Sequence, residues 1–507
     1  MRRVFVLITL GLALGGFCMQ QLEGQKRRIR VAFGSPWKTT HPGLQHTLVG
    51  DLVLSNQYEA LVGMNEFGVA VPLAAKSWDA SEDFKTFTFH IDTSKTFSDG
   101  EHLSARDFKR SWEDALALEP KSSNSSLLDI MYKIRGFSDF PKTKTISGIE
   151  VVDDSTLRIH FDSAFRMALS HFMGNRFAVY KEKDGKFLGT GKFVIDERAE
   201  NDLLFAPNPR DPDAKNLPSI EVSVVRTDEA TARLLDGTID VFAYGRGSSV
   251  SPTIKESGKL SVVVGQDALH ETTILNLKHG RFFHNRQYRL AMQYLIHKKF
   301  SAEPALLGNT DYSSVDAQVF LPLQPGRIPD QDVEKIIDSG ERFVLEMIAA
   351  TKKHPLLVYT SESDDWLLPF LREIGVAVSP ASKKISPQER VNVIYKSHEP
   401  DMIVTAFGVA SGDPDGVYHR LGKSGAIMSP MCFSERVSAL LEDGRKLVAQ
   451  DQLDPFYQGV SRAILEEVPF VHLGYSKAVA IYRKDTVDFD SKLLRRNEGH
   501  LHGFRLR

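Results

Sequence analysis

Alternating apolar and polar residues predict β-strands along much of the chain. In the segment 84–92 (FKTFTFHID), apolar residues occupy every second position and face one way, while His90 falls on the opposite, solvent-facing side. The same period predicts further strands at 28–33, 156–162, 220–224, 239–243, 355–360, 402–409 and 468–482.

Helix-period patterns lie between these strands. Ser104 and Asp107 have the spacing of a capping box, and the helix that follows places Trp112 on its apolar face, where we expect it in a core. A second helix is expected to begin with Asp228 as its cap and to end at Gly237. Further helices are predicted at 51–62, 287–299, 342–350 and 434–449, the last with Val448 on its buried face. The elements together indicate the α/β fold class.

Composition narrows the function classes. The 507 residues are 42% hydrophobic and 25% charged, which is typical of a globular protein of two to four domains. Lys and Arg (63) nearly balance Asp and Glu (65), so we expect no nucleic-acid partner. Cys18 and Cys432 are the only cysteines, which excludes a disulfide scaffold and a cysteine-rich metal site.

The first 18 residues have the layout of an export signal. Two arginines precede an uncharged apolar run at 4–16, which is shorter than the roughly 20 residues of a transmembrane helix. Cleavage before Met19 would remove residues 1–18 and release a periplasmic protein. Lipid anchoring through Cys18 is one alternative, which Phe17 disfavours because a lipoprotein site has a small residue at that position. The second alternative is that this apolar run forms a buried N-terminal helix.

Motifs for catalysis are missing from the sequence. The Gly-Lys-Ser of segment 421–424 lacks the first glycine of a phosphate-binding loop, since Val417 stands at that position. Segment 189–191 lacks the third glycine of a dinucleotide-binding fingerprint, and neither HExxH nor GxSxG occurs. We therefore expect a protein that is not an enzyme, without a catalytic residue, a metal or a cofactor.

Residues 54–113 carry an ordered series of short motifs. They are YEALV at 58–62, VPLAAKSW at 71–78, FTFH at 87–90, FSDG at 97–100, SARDF at 104–108 and Ser111-Trp112. Each motif is weak alone, but their order and spacing closely resemble the signature of the extracellular solute-binding proteins of family 5. That family is the oligopeptide- and dipeptide-binding class serving ABC transporters.

The resemblance extends over about residues 30–480. The matching segments are GTGKF at 189–193, DGTID at 236–240, YRLAM at 288–292 and FGVASGDP at 407–414. The last corresponds to the family's Trp-x-x-Asp-x-x-Asp-Pro. Here the sequence departs from the family, because Phe407 replaces the tryptophan and Ala410 replaces the first aspartate.

The resemblance implies a periplasmic binding protein-like fold with two lobes, a hinge and an inserted third domain. Lobe one would comprise residues 26–46, 175–265 and 480–507, the insert region residues 47–174, and lobe two residues 266–479. Ligand would bind between the lobes and shift the hinge towards closure.

The resemblance also implies how the ligand is held and with which proteins this chain interacts. Main-chain hydrogen bonds hold an extended peptide, and a lobe-two carboxylate pairs with its free amino group. That carboxylate is lost at Ala410, so either Asp413 replaces it, another residue supplies it, or the ligand lacks a free amine. A monomer would deliver its solute to ABC transporter permease subunits.

We expect the substrate-binding residues to come from four places in the chain. They are Phe407, Gly408, Val409, Ala410 and Asp413 in lobe two, Asn276 from the strand before the helix that contains Arg289, Thr47 and Leu48 at the edge of lobe one, and Asn124.

Several alternatives stay open at this point. Some members of the family bind metal chelates, haem or sugars instead of peptides. The chain could also be a secreted hydrolase, or a receptor used for sensing or adhesion without a transporter.

Overall fold

The computed structural model describes residues 28–507 except 38, 46, 66–68, 119–126, 200, 247–249, 308–310, 312, 323, 361–365, 409–413, 424–428 and 490–500. The predicted export signal therefore lies outside the described residues.

The strands, in chain order, are β1 (Ile29–Phe33), β2 (Val62–Met64), β3 (Ala70–Pro72), β4 (Ala75–Ala80), β5 (Thr86–Ile91), β6 (Ile149–Asp153), β7 (Thr156–His160), β8 (Lys181–Lys183), β9 (Lys186–Leu188), β10 (Phe193–Ala199), β11 (Asp202–Pro207), β12 (Ile220–Val224), β13 (Val241–Arg246), β14 (Leu260–Leu275), β15 (Ser313–Val315), β16 (Val358–Thr360), β17 (Lys383–Lys384), β18 (Met402–Gly408), β19 (Phe470–Arg483), β20 (Val487–Phe489) and β21 (Phe504–Leu506).

Fifteen α-helices lie in the described ranges. They are α1 (Leu48–Leu54), α2 (Ala105–Leu118), α3 (Leu128–Met131), α4 (Phe140–Thr143), α5 (Ala168–His171), α6 (Thr227–Leu235), α7 (Pro252–Glu256), α8 (Arg286–Ala302), α9 (Asp330–Asp338), α10 (Val344–Lys353), α11 (Leu367–Glu373), α12 (Pro387–Asn392), α13 (Tyr418–Leu421), α14 (Glu435–Gly444) and α15 (Leu453–Glu467). No helix among the described residues is both long and apolar enough to span a membrane.

One large mixed sheet forms the frame of the molecule. Its strands follow the order β10-β11-β12-β1-β13-β19-β14-β18-β16-β17, and β15 pairs with β19 beside this path. The strand β1 is parallel to both of its neighbours, β12 and β13, and its apolar residues are buried on both faces, as expected for a central parallel strand.

Two long strands, β14 and β19, connect the two halves of this sheet. Near its start β14 pairs with the part of β19 that also pairs with β13, whereas residues 269–275 of β14 pair with β18. The register between β14 and β19 shifts between Val264 and Ala268. Bulges of this kind bend and twist a strand, and the pairing of β14 with β18 begins only after this shift, at Leu269.

The insert region has its own antiparallel sheet, in the order β4-β5-β7-β6. As predicted, Phe89 faces a core and is fully buried, whereas His90 on the other face pairs with the exposed Asp79. Trp112 of α2 is also fully buried, and its indole N–H donates to the carbonyl of Phe177 over 2.9 Å. At the start of α2, the amide and the hydroxyl group of Ser104 both donate to Asp107 Oδ2, so the carboxylate half of the predicted capping box is present.

The apolar core of the insert region is continuous with a core in lobe two. One buried cluster joins residues from Leu61–Val179 to residues between Ile274 and Phe470, while a separate cluster surrounds β1. Residues 61–179 therefore share one apolar core with residues 274–470.

The predicted helix at 51–62 is wrong in its bounds. The structure begins α1 at Leu48 and ends it at Leu54, and the chain then turns so that Asn56 and Gln57 accept backbone hydrogen bonds from Phe193 and Gly191. Tertiary pairing thus overrides the helical pattern, although the predicted buried side of Tyr58 and Leu61 is confirmed.

The predicted helix at 434–449 is too long. The structure ends α14 at Gly444, where a Cβ atom would lie 2.7 Å from the Tyr457 hydroxyl oxygen. Val448 therefore lies beyond the helix and is 38% exposed, contrary to prediction.

Smaller differences concern where elements begin and end. Asp228 lies in the first turn of α6 and Arg226 is the cap residue, whereas Gly237 does follow the helix with a positive φ of 81°. The predicted strand at 355–360 starts only at Val358.

Candidate functional site at the end of strand β18

Phe407 lies at the centre of an aromatic cluster near the end of β18. Its ring is 5% exposed and stacks on His270 of β14, with ring centroids 4.9 Å apart and planes 7° apart. Phe470 meets it edge-on at 5.6 Å, and the guanidinium carbon of Arg420 lies 4.8 Å from the ring centroid. The contacts of Phe407 in this cluster come from β14, β19 and α13.

Two buried histidines, His270 and His472, pack beside Phe407. His472 Nδ1 lies 2.7 Å from the carbonyl oxygen of Asp316, so it must carry a proton and donate. Burial lowers the pKa of His472 to about 3. His472 is thus neutral, its Nε2 is an acceptor, and His270 Nδ1 donates to it across 3.1 Å. This fixed tautomer holds the His270 ring against Phe407.

Arg420 was not identified from the sequence as a site residue. It lies on the short helix α13 and is 4% exposed, yet among the described residues neither its Nε nor its Nη1 has a hydrogen-bond partner. Its contact with Phe407 places this guanidinium beside the segment from which we predicted ligand contacts.

Asp415 follows that segment and anchors it to the rest of the molecule. Both oxygens accept hydrogen bonds from Arg445, each over 2.7 Å, and His171 Nε2 lies 2.9 Å from Oδ2. Arg445 also donates to the Tyr132 hydroxyl and lies over the ring of Tyr418. This network therefore ties the segment 132–171 to the segment 415–445.

Thr47 caps the N-terminus of helix α1. Its hydroxyl oxygen accepts from the amide of Gly50, which caps α1, and its hydroxyl group also donates to Gln45 over 2.9 Å. Leu48 is the first residue of α1; its side chain lies outside the described part of the structure.

Asp51, also on α1, is a carboxylate that the sequence patterns did not single out. Its Oδ1 atom is buried and has no hydrogen-bond partner among the described residues. Burial raises the pKa of Asp51 to about 6, although Arg176 nearby opposes the rise.

Asn276 is fully buried and its amide is already used. Nδ2 donates to the carbonyls of His398 and Pro400, and Oδ1 accepts from the amide of Lys278. In this structure it holds the chain that follows β14 to the chain that precedes β18.

The remaining predicted site residues have a different status. Gly408 ends β18 and pairs with Leu269, which places its backbone beside Phe407. Val409, Ala410, Asp413 and Asn124 lie outside the described residues. No group of three or more His, Cys, Asp or Glu residues within the described ranges could hold a metal ion.

Comparison with known proteins places this architecture in a family. Residues 69–335, just over half of the chain, match the model of the bacterial extracellular solute-binding proteins, family 5 Middle. The periplasmic murein peptide-binding protein of Escherichia coli (strain K12) is 29% identical over 208 residues, or 37% of this chain and 38% of that protein. The periplasmic oligopeptide-binding protein of Haemophilus influenzae (strain ATCC 51907 / DSM 11121 / KW20 / Rd) is 28% identical over 164 residues, or 31% and 30%.

These two alignments cover well under two thirds of either relative. A solved structure extends the likeness of fold: a periplasmic oligopeptide-binding protein of Borrelia burgdorferi superimposes with a TM-score of 0.77 at 17% identity, covering 94% of this chain and 99% of that one. The chain has the α/β fold of the periplasmic binding proteins, and it belongs to the bacterial extracellular solute-binding proteins of family 5.

Proposed function

We propose that this protein is the extracytoplasmic solute-binding component of an ABC transporter, which captures a peptide between two lobes and passes it to a permease. The observation that carries the proposal is the division of the main sheet into two halves that β14 and β19 join across a register shift. Few strands crossing between two bodies allow them to open and close as rigid units.

The proposed domain division follows from the same strands. Lobe one comprises residues 26–46, 175–265 and 480–507, the insert region residues 47–174, and lobe two residues 266–479. The register shift between Val264 and Ala268 lies at the proposed boundary, and the separate core around β1 supports an independent first lobe.

Peptide is the proposed ligand class because the two curated relatives above carry peptide-binding names. An extended peptide can be held through its backbone, whatever its side chains. The proposed contacts are Phe407, Gly408, Val409, Ala410 and Asp413, with Asn276, Thr47, Leu48 and Asn124 as more distant candidates.

The family membership also supports the wider assignment. Family 5 consists of solute-binding proteins, and we propose that this chain, like them, has no catalytic activity. We propose that it acts as an exported monomer, with lipid anchoring at Cys18 as the alternative to a freely diffusing form.

Titration with peptide pools tests the proposal. Purified protein is mixed with synthetic pools of random tri-, tetra- and pentapeptides, and in parallel with hexoses, haem and a nickel–histidine chelate. We expect heat release and a smaller radius of gyration in solution scattering with a peptide pool only. Closure with one of the other solutes would show that the protein is a receptor for a ligand other than a peptide. No closure with any of these solutes would contradict the proposal.

A further inference from the structure

Arg420 and Arg445 are two buried arginines with opposite surroundings. All three nitrogens of the Arg445 guanidinium donate hydrogen bonds, two to Asp415 and one to Tyr132. Arg420 is 4% exposed, and no described residue accepts a hydrogen bond from its Nε or Nη1. The described contact of its guanidinium is the ring of Phe407.

Burying an unpaired charge is strongly unfavourable, and natural proteins pair such groups or bind a complement. An arginine stays protonated in any protein interior, so Arg420 cannot relieve the cost by losing its proton. Within the described ranges, the Arg420 guanidinium therefore has no anionic partner.

The position of Arg420 suggests where that partner comes from. Its guanidinium lies against Phe407, which also stacks on His270, whose ring the His472 hydrogen bond orients. Contact with an aromatic ring satisfies none of the N–H donors of a guanidinium, and those donors form a planar fork that matches a carboxylate. Phe407 is also a proposed ligand contact, so the Arg420 guanidinium would lie close to a ligand that contacts Phe407.

We propose that Arg420 binds a carboxylate of the ligand and makes this receptor selective for acidic solutes. The inference rests on the proposed function and deepens it. The family motif carries an amine-binding aspartate at the position where this sequence has Ala410. The carboxylate can be a peptide C-terminus or an acidic side chain.

Three peptide pools separate these sources. The first has free C-termini and no acidic side chains, the second is its C-terminally amidated equivalent, and the third is amidated but contains one glutamate per peptide. A charge-assisted hydrogen bond corresponds to roughly a tenfold to hundredfold change in affinity. We expect wild-type protein to bind the first or the third pool at least tenfold more tightly than the second.

Substitution then assigns the preference to Arg420. In Arg420→Met the preference should disappear, and the melting temperature of the ligand-free protein should rise because an unpaired buried charge has been removed. Arg420→Lys keeps a charge but loses the fork, so it should retain only part of the preference. Arg106→Met, at a side chain that is 74% exposed, is the matched control and should change neither quantity.

Each other outcome has a distinct meaning. Equal binding of all three pools would overturn the role of Arg420 and leave the proposed peptide receptor intact. A lowered melting temperature with unchanged selectivity in Arg420→Met would show a structural arginine and also overturn it. Binding of no pool would overturn the proposed peptide function and this inference together.

Discussion

Arg445 and Asp415 form a bidentate ion pair in which both side chains are at most 1% exposed. Nε and Nη2 each donate over 2.7 Å, one to each carboxylate oxygen. Despite burial, which opposes ionisation, the Arg445 charge and the His171 and Arg445 hydrogen bonds hold the pKa of Asp415 well below its usual range. Because the folded-state pKa is depressed, this pair stabilises the protein above the unfolded-state pKa of about 4 and loses that contribution as the pH falls further.

Replacing Asp415 by asparagine should destabilise the protein severely. The substitution leaves Arg445 buried with an uncompensated charge, which typically costs about 3–5 kcal/mol. Denaturant unfolding at pH 7 measures the change. The control is Asp154→Asn at the Arg106–Asp154 pair, which is more than 70% exposed on both sides and should cost less than about 1 kcal/mol. Similar losses in the two variants would contradict the importance of burial.

His171 should be energetically coupled to Asp415 across the boundary between insert region and lobe two. Their contact is 2.9 Å and both side chains are buried, so a double-mutant cycle of His171→Phe and Asp415→Asn should give a coupling of about 0.5–3 kcal/mol. The exposed His90–Asp79 pair has a similar distance of 3.0 Å and should show much weaker coupling in the same kind of cycle. Additive effects at His171 and Asp415 would mean that the network does not join the two regions.

His41 should make the protein sensitive to acid. The ring is 4% exposed between Tyr180 and Phe187, neither ring nitrogen has a described hydrogen-bond partner, and burial lowers its pKa to about 4. Between pH 6.5 and 4 the unfolded chain binds a proton here that the folded protein does not, so stability falls as the pH falls.

The variant His41→Phe should remove this dependence. A single such group changes the free energy of unfolding by about 1.4 kcal/mol per pH unit at most. Unfolding curves at pH 6.5 and 4.5 should therefore show a loss smaller by roughly 2 kcal/mol in His41→Phe than in wild type. An identical loss in both proteins would show that His41 is accessible to protons in the folded state.

Two glycines should respond to alanine in opposite directions. Gly474 has a φ of 148°, and a Cβ there would lie 2.0 Å from the carbonyl oxygen of Ser314, so Gly474→Ala should break the β15–β19 pairing and cost about 1–3 kcal/mol. Gly459 lies within α15, where a Cβ would meet nothing within 4 Å. Gly459→Ala should therefore stabilise by about 0.5–1 kcal/mol in the same thermal unfolding assay.

Local periodicity predicted the elements that bury one regular face. The alternation around Phe89 and the helical spacing around Trp112 both identify core residues correctly, because side-chain direction follows directly from the period. The end of α14 at Gly444 could not be read in this way. Only the fold shows that Tyr457 of α15 occupies the space a side chain at position 444 would need, which explains the glycine there.

The candidate site shows the same limit. Phe407 could be predicted because its segment resembles a family motif, and the structure finds it at the centre of a cluster. Arg420 could not, since a single arginine on a short helix carries no periodic signal, and its importance arises only from burial without a partner. Asn276 illustrates the converse, because only the fold reveals that its amide is used by two backbone carbonyls.

Native mass spectrometry of the protein purified from its own host shows directly whether the protein holds a solute. We expect a single additional mass per protein chain, which on dissociation is identified as a peptide that carries a free carboxylate. A protein that shows no bound solute, and that also fails to bind one when soluble host extract is added, would contradict the proposal that this chain is a solute receptor.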